Sequence, residues 1–311
     1  MSGTSTGAGS LLHNGFRVGG VSVGVVGGCK DDVALIPSLE PFWVDPSTAD
    51  ISIGVEWVVK LSKSVGRECF DSETTWRLCE EAEEFQFDLN VPVPGERPCK
   101  RLIVDSRFRR AKLQLSEESF TGFPRAVYPL DYPLDELLIM HRLTQESAIE
   151  LHGVGIVGPD GASNLFVGHS GAGKSTTARL WTSLHKVDIL SDDRIIVREH
   201  PVTEDSQHSD ATQIYMYGTP WHGEAHFALP QRAPLQRIFV LEHGHGNVLT
   251  RLTRSQMVAE LFARAFVPFH RHEYVDHALA FLERVADTVP CYRYSFEPDE
   301  RAVDKVLHFH D

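Results

Sequence analysis

One run constrains this chain more than any other: Gly168, His169, Ser170, Gly171, Ala172, Gly173, Lys174 and Ser175. It satisfies G-x-x-x-x-G-K-[ST] without a mismatch. An apolar run, Leu165, Phe166 and Val167, enters it, and a helical pattern over residues 174–184 leaves it. The glycines have a physical reason, because backbone N–H groups that turn inward around an anion adopt conformations a Cβ would obstruct. The helix that follows aims its positive end and free N–H groups at the same place. The expectation is a strand, a phosphate-binding loop (P-loop) and a helix, with residues 168–175 and Thr176 around the phosphates of a nucleoside triphosphate. Lys174 would reach the outer phosphates, and the Ser175 hydroxyl would bind Mg²⁺. A plain tight turn would explain the glycines but not Lys174 and Ser175 directly after the last of them.

A second feature follows the helix. The apolar residues Val187, Ile189 and Leu190 lead into Ser191, Asp192, Asp193 and Arg194. A strand that ends in adjacent carboxylates beside such a loop suits two tasks, holding the metal and accepting the proton of an attacking hydroxyl. Neighbouring strand residues point to opposite faces, so both reach one site only where the strand ends or bends. An exposed turn at a strand end is the plain alternative. His152, before the strands that lead into the loop, is a catalytic candidate, although a lone histidine is more often structural. His222 and His226 flank Glu224, but Gly223 breaks any helical turn between them, so a substrate-facing or plain surface loop fits better than a metal site.

Elsewhere the pattern is simpler. Alternating runs at residues 21–26, 51–55, 85–89 and 111–115 read as strands of a mostly β N-terminal domain, residues 11–130. A helix from Asp131 to about residue 147 then opens a second domain, residues 131–311. Strands are expected there near 153–157, 164–167, 187–190, 195–198, 214–217 and 238–242. A loose connection is expected over 200–213, and a helix after the capping-box pair Thr253 and Gln256. Residues 1–10 are small and polar and read as a disordered tail, not a signal peptide.

The formal net charge of −13 argues against nucleic acid as a partner. The basic run Lys100, Arg101, Arg107, Arg109, Arg110 and Lys112 reads as a solvated strand face, with anion binding as the alternative. No apolar stretch is long enough to cross a membrane. Five scattered cysteines without a CxxC pair suggest reduced thiols in the cytoplasm.

The order of His152, the loop 168–175 and the Asp192–Asp193 pair resembles the kinase domain of HPr kinase/phosphorylase and its relatives, as a divergent member rather than a true HPr kinase. The resemblance covers roughly residues 130–311. It implies an α/β fold, a P-loop nucleotide domain similar to that of phosphoenolpyruvate carboxykinase, joined here to the mostly β N-terminal domain. It further implies ATP and Mg²⁺ as cofactors and Asp192 as the base that activates a hydroxyl. Asp193 and Ser175 would lie near Mg²⁺, with His152 beside Asp192 and the transferred phosphoryl group. Homo-oligomers are compatible with the family.

The expected activity is therefore a kinase that phosphorylates a hydroxyl on a protein or peptide serine or on a small molecule. Two alternatives stand beside it: a nucleotide-binding regulatory or interaction protein without turnover, and an ATPase. The ABC-type signature of transporter ATPases is missing from the sequence.

Overall fold

The computed structural model describes residues 12–27, 35–90, 97–122, 127–201 and 212–309. The expected tail, residues 1–10, lies outside them, as does most of the expected connection 200–213. The chain divides into two compact units, residues 1–17 with 21–138, and residues 18–20 with 139–311.

The first unit is built on an eight-stranded sheet with the order β1-β2-β3-β8-β7-β6-β5-β4. Its strands are β1 (Leu12–Val18), β2 (Val21–Gly27), β3 (Ile51–Val58), β4 (Arg67–Asp71), β5 (Trp76–Glu81), β6 (Glu84–Leu89), β7 (Lys100–Asp105) and β8 (Arg110–Ser116). The four strand runs expected in this half fall on β2, β3, β6 and β8. In β3, Ile51, Ile53 and Val55 are buried while Ser52 and Gly54 face solvent, the period-two pattern of a strand with one packed face. Lys100 and Arg101 do not belong to a solvated basic face. Both are buried, Arg101 against Asp88 through two bonds of 2.6 and 2.9 Å and Lys100 against Asp131 at 2.6 Å.

A short helix, α1 (Glu117–Phe120), follows, and then α2 (Leu134–Leu143). The division between the units falls inside α2, past the boundary expected at residue 130. The second unit holds β9 (Ala148–Val157), β10 (Ser163–Val167), α3 (Lys174–Leu184), β11 (Asp188–Ser191), β12 (Arg194–Pro201), β13 (Thr212–Tyr217), β14 (Arg232–Pro234), β15 (Arg237–His243), β16 (Val248–Arg251), α4 (Arg254–Phe262), β17 (Ala265–Phe266), α5 (His272–Thr288), β18 (Cys291–Phe296) and α6 (Glu300–Leu307).

These strands form a ten-stranded mixed sheet with the path β14-β13-β12-β9-β10-β15-β18-β16, and β11 and β17 also pair with β9. The α/β expectation is thereby overturned, because the described residues are mostly β, with two large mixed sheets and few helices among them. The reason is local. A parallel pair needs a crossover of roughly a dozen residues or more. Residues 158–162 are too few, and Gly158 N–H donates to Ala162 O at 2.8 Å, so β9 and β10 pair antiparallel as a hairpin. β12 and β13 are likewise antiparallel; in this sheet β10 with β15 and β15 with β18 run parallel.

Side chains alternate across the sheet into two cores. Leu165, Val167, Ile238 and Val240 pack with Met257, Leu261, Phe281 and Leu282 of α4 and α5. Phe166, Phe239 and Leu241 pack with Trp181 of α3 and Val303 of α6. Both faces of β10 and β15 are covered, so residues 165–167 and 238–241 within them read as unbroken apolar runs in the sequence. Each fully buried aromatic here contributes about 1.5–3 kcal/mol relative to exposure.

Candidate functional site

The site forms where β9 changes partners. Its first half, to His152, pairs with β12 on one side and β17 on the other. Its second half, from Gly153, pairs with β11 and β10. The chain breaks between β11 and β12 at Asp192 and Asp193, and the glycine-rich loop leaves the end of β10. Both interruptions therefore meet the middle of β9. Gly168 N–H donates to His152 O at 3.4 Å, and Gly153 N–H donates to Asp193 O at 3.0 Å.

The loop is shaped by Gly173, whose φ of +101° is open to glycine and strained for other residues. A Cβ there would also lie 2.4 Å from the Phe296 ring. Gly173 caps α3, which begins at Lys174, and as a glycine it offers no side-chain acceptor to the first N–H groups of that helix. The Lys174 side chain folds back over the loop, and its Nζ donates to the carbonyls of Gly168 and His169 at 2.9 and 3.0 Å. Lys174 is only 6% exposed. Burial lowers its ammonium pKa from the usual 10.5 to about 8; Asp193 opposes the shift, and Arg194 and Arg264 add to it. Lys174 and Asp193 are thus close enough to feel each other's charge.

His152 Nε2 lies 2.9 Å from Asp193 Oδ1. The other carboxylate oxygen, Oδ2, accepts a hydrogen bond from Arg194, whose guanidinium stacks 4.1 Å above the Phe266 ring. Burial pushes the Asp193 carboxyl up, but the His152 hydrogen bond and the cations of Arg194 and Lys174 outweigh it and hold the group below the usual carboxylate range. Asp193 is therefore an anion at neutral pH.

Asp192 occupies a different environment, and here the expectation needs correction. His152 pairs with Asp193, not with Asp192. The Asp192 carboxylate is 1% exposed and accepts three backbone N–H groups, from Gly223 at 3.0 Å, Ala225 at 2.8 Å and Phe227 at 3.1 Å. The strand break sends the two neighbouring carboxylates to different places: Asp193 to His152 and Lys174, Asp192 into the loop 219–228. A base must be within reach of the proton it takes. Asp192 is enclosed by donors instead and acts as an anchor for that loop. Gly223 is required beside it, since a Cβ there would lie 2.9 Å from Asp192 Oδ2. His222 and His226 sit exposed on the same loop, with Nδ1 atoms 3.2 Å apart.

Among the described residues, no group of three or more His, Cys, Asp or Glu could hold a metal ion. A nucleotide-borne Mg²⁺ does not need one, because it is commonly bound by one or two protein oxygens together with phosphates and water. The half-buried Ser175 hydroxyl and Asp193, whose oxygens each keep a free lone pair, are hard oxygen donors that fit this role.

The sequence reading missed one wall of the site. An open cleft of about 390 Å³ borders residues 169–172 of the loop and is also lined by Glu242, His243, Glu260, Arg264 and Arg293. His243 Nε2 meets Gly171 O at 2.7 Å, and Arg293 meets Glu260 at 2.6 Å. Arg264 is 9% exposed, and its carbonyl accepts the His152 N–H at 2.8 Å. No local motif marks these residues, which β15, β18 and the end of α4 bring to the loop. Among the described residues, no helix is long and apolar enough to cross a membrane. No protein-family model matches the chain, and no curated protein matches it in sequence.

Proposed function

We propose that residues 168–176 bind the phosphates of a nucleoside triphosphate, ATP with Mg²⁺, and that the chain transfers the γ-phosphoryl group to a hydroxyl. The acceptor is a protein or peptide serine or a small-molecule alcohol. The observation that carries this reading is the meeting at β9 of the loop and the His152–Asp193 pair, joined by the Gly168–His152 and Gly153–Asp193 backbone bonds. Loop amides and Lys174 supply positive charge where the outer phosphates lie, which is the main catalytic need of phosphoryl transfer. When bound, Mg²⁺ would neutralise further phosphate charge, with Ser175 and Asp193 as its protein oxygens.

In this scheme Asp193 holds the Nε2 proton of His152, leaving Nδ1 to accept a proton. The acceptor oxygen forms a bond to the γ-phosphorus, its proton passes to His152, and the bond from the γ-phosphorus to the β–γ bridging oxygen breaks, releasing ADP. The Asp192-anchored loop, with His222 and His226, flanks the acceptor side. Free thiols at Cys69, Cys79, Cys99 and Cys291 suit the cytoplasm, where ATP is plentiful.

The test incubates the protein with γ-labelled ATP, Mg²⁺ and lysate fractions. Label should move to an acceptor with the wild-type chain and not with Lys174→Ala, while His152→Ala should bind ATP but not transfer. Binding without transfer in every fraction would favour the regulatory reading. Release of labelled phosphate without an acceptor would favour an ATPase. Absence of ATP binding would refute the proposal.

A further inference from the structure

A carboxylate that the scheme above does not use lies on the same strand as His152. Glu150 and His152 are two residues apart on β9, so their side chains leave the same face. Glu150 is only 1% exposed, a burial that acidic side chains rarely reach without a counter-charge. Arg194 of β12 supplies one, with its Nε 3.5 Å from Glu150 Oε1. Register explains the meeting: Arg194 stands opposite His152, and Phe266 of β17 stands opposite Glu150. The Phe266 ring then lies 4.1 Å from the guanidinium and holds its plane.

One guanidinium is thus shared between two carboxylates. Its Nη1 donates to Asp193 Oδ2 while its Nε faces Glu150. Arginine and a carboxylate frequently close into a fork with two parallel N–H···O bonds. At Asp193 the two oxygens are divided instead, because Oδ1 lies 2.9 Å from His152 Nε2. A guanidinium that turned to take both oxygens would compete with His152 for Oδ1. Glu150 opposes that turn, since it would draw the Nε–H away from a carboxylate that water does not reach.

We infer that Glu150 is a positioning residue for phosphoryl transfer: it holds the Nε side of Arg194 so that the guanidinium takes one oxygen of Asp193 and leaves the other to His152. This rests on the reading of His152 as the group that accepts the hydroxyl proton, and it names what keeps that histidine aimed.

The test compares the wild-type chain, Glu150→Gln and the double variant Glu150→Gln/Arg194→Met, with thermal melting as the control for folding. The first readout is the ring Nε2–H resonance of His152, assigned by its loss in His152→Gln and measured without nucleotide. It should exchange slowly with water in the wild-type chain, exchange fast in Glu150→Gln, and become slow again in the double variant, where no guanidinium competes for Asp193. The second is label transfer from γ-labelled ATP to the lysate fraction that accepts it. Glu150→Gln should lower kcat by about tenfold or more and change KM for ATP by less than about twofold, and the double variant should recover most of the loss. A merely structural role predicts no such recovery, because the second substitution removes a further contact. Unchanged exchange and kcat in Glu150→Gln, or losses that persist in the double variant, would overturn the inference. The wild-type chain gives a measurement independent of how the variants fold: the Arg194 Nε–H should exchange slowly, and fast exchange there counts against its hold by Glu150. If the wild-type chain transfers label to no acceptor, the kinase reading itself fails. If it transfers label and Glu150→Gln does so equally fast, only the present inference fails.

Discussion

Removing the Asp192 carboxylate tests the geometry most directly, because sequence and structure give this residue different work. Three N–H groups converge on it, from Gly223, Ala225 and Phe227 at 2.8–3.1 Å. A hydrogen bond to a charged group contributes about 1.5–3 kcal/mol, and a donor left buried without a partner costs about 1–3 kcal/mol. Gly223, Ala225 and Phe227 are only partly buried, so water reaches their amides once the loop loosens and the low end of that range applies. Asp192→Ala should thus cost roughly 3 kcal/mol. Asp192→Asn keeps one oxygen for Gly223 and Phe227 but turns an NH₂ toward the Ala225 donor, for a loss of about 1–2 kcal/mol. Urea denaturation gives the free energies, and amide hydrogen exchange gives the location. Residues 223, 225 and 227 should exchange slowly in the wild-type chain and near the unprotected rate in Asp192→Ala. Unchanged stability and unchanged protection in Asp192→Asn, together with abolished phosphoryl transfer, would refute the anchor and restore Asp192 as the base.

Lys174, with a pKa of about 8 in the folded chain against 10.5 for the free side chain, should take up about half a proton when ATP binds at pH 8 and almost none at pH 6. Calorimetry in buffers of different ionisation enthalpy reads that uptake, and Lys174→Arg should abolish it. Because the folded chain binds fewer protons than the unfolded one between these two pKa values, the Lys174 contribution to stability should rise with pH from about 8 to 10.5. Melting temperatures of wild type and Lys174→Met across that interval check the sign, since only the wild type should show this component. Gly223→Ala should cost about 1–3 kcal/mol, because its methyl group meets a carboxylate that three hydrogen bonds hold in place. A melting curve equal to wild type would show that Asp192 yields freely.

Much of the secondary structure was legible because it has local causes. The helix after the glycine loop starts at Lys174 and ends at Leu184 as its pattern indicates, since the loop fixes its beginning. Thr253 and Gln256 form both bonds of the capping box that starts α4. Long α5 went unread although Tyr274, Ala278, Phe281, Leu282 and Val285 recur on one face, so its periodicity was present in the sequence. Sheet order was not present in that way. β9 pairs with four strands drawn from residues 163 to 266, and no local pattern encodes such distant pairing. The α/β expectation failed at that step, where a short connection turned two successive strands into a hairpin.

The separation of Asp192 from Asp193 has the same origin. Two adjacent carboxylates look equivalent in a sequence, and their functions are decided by which way the backbone turns between β11 and β12. That turn is set by pairing with β9: Ser191 registers with Gly155 after an irregularity, and Arg194 registers with His152. Gly153 N–H then fixes the Asp193 carbonyl between them. With the backbone so held, the Asp193 side chain reaches His152, and the Asp192 side chain goes to the opposite side, where the N–H groups of 223–227 receive it. Moving the break by one residue would exchange the two carboxylates. A chemical role at this site therefore belongs to a position relative to β9, and a shift of register between β11 and β9 would disable the site while leaving every candidate residue in the sequence.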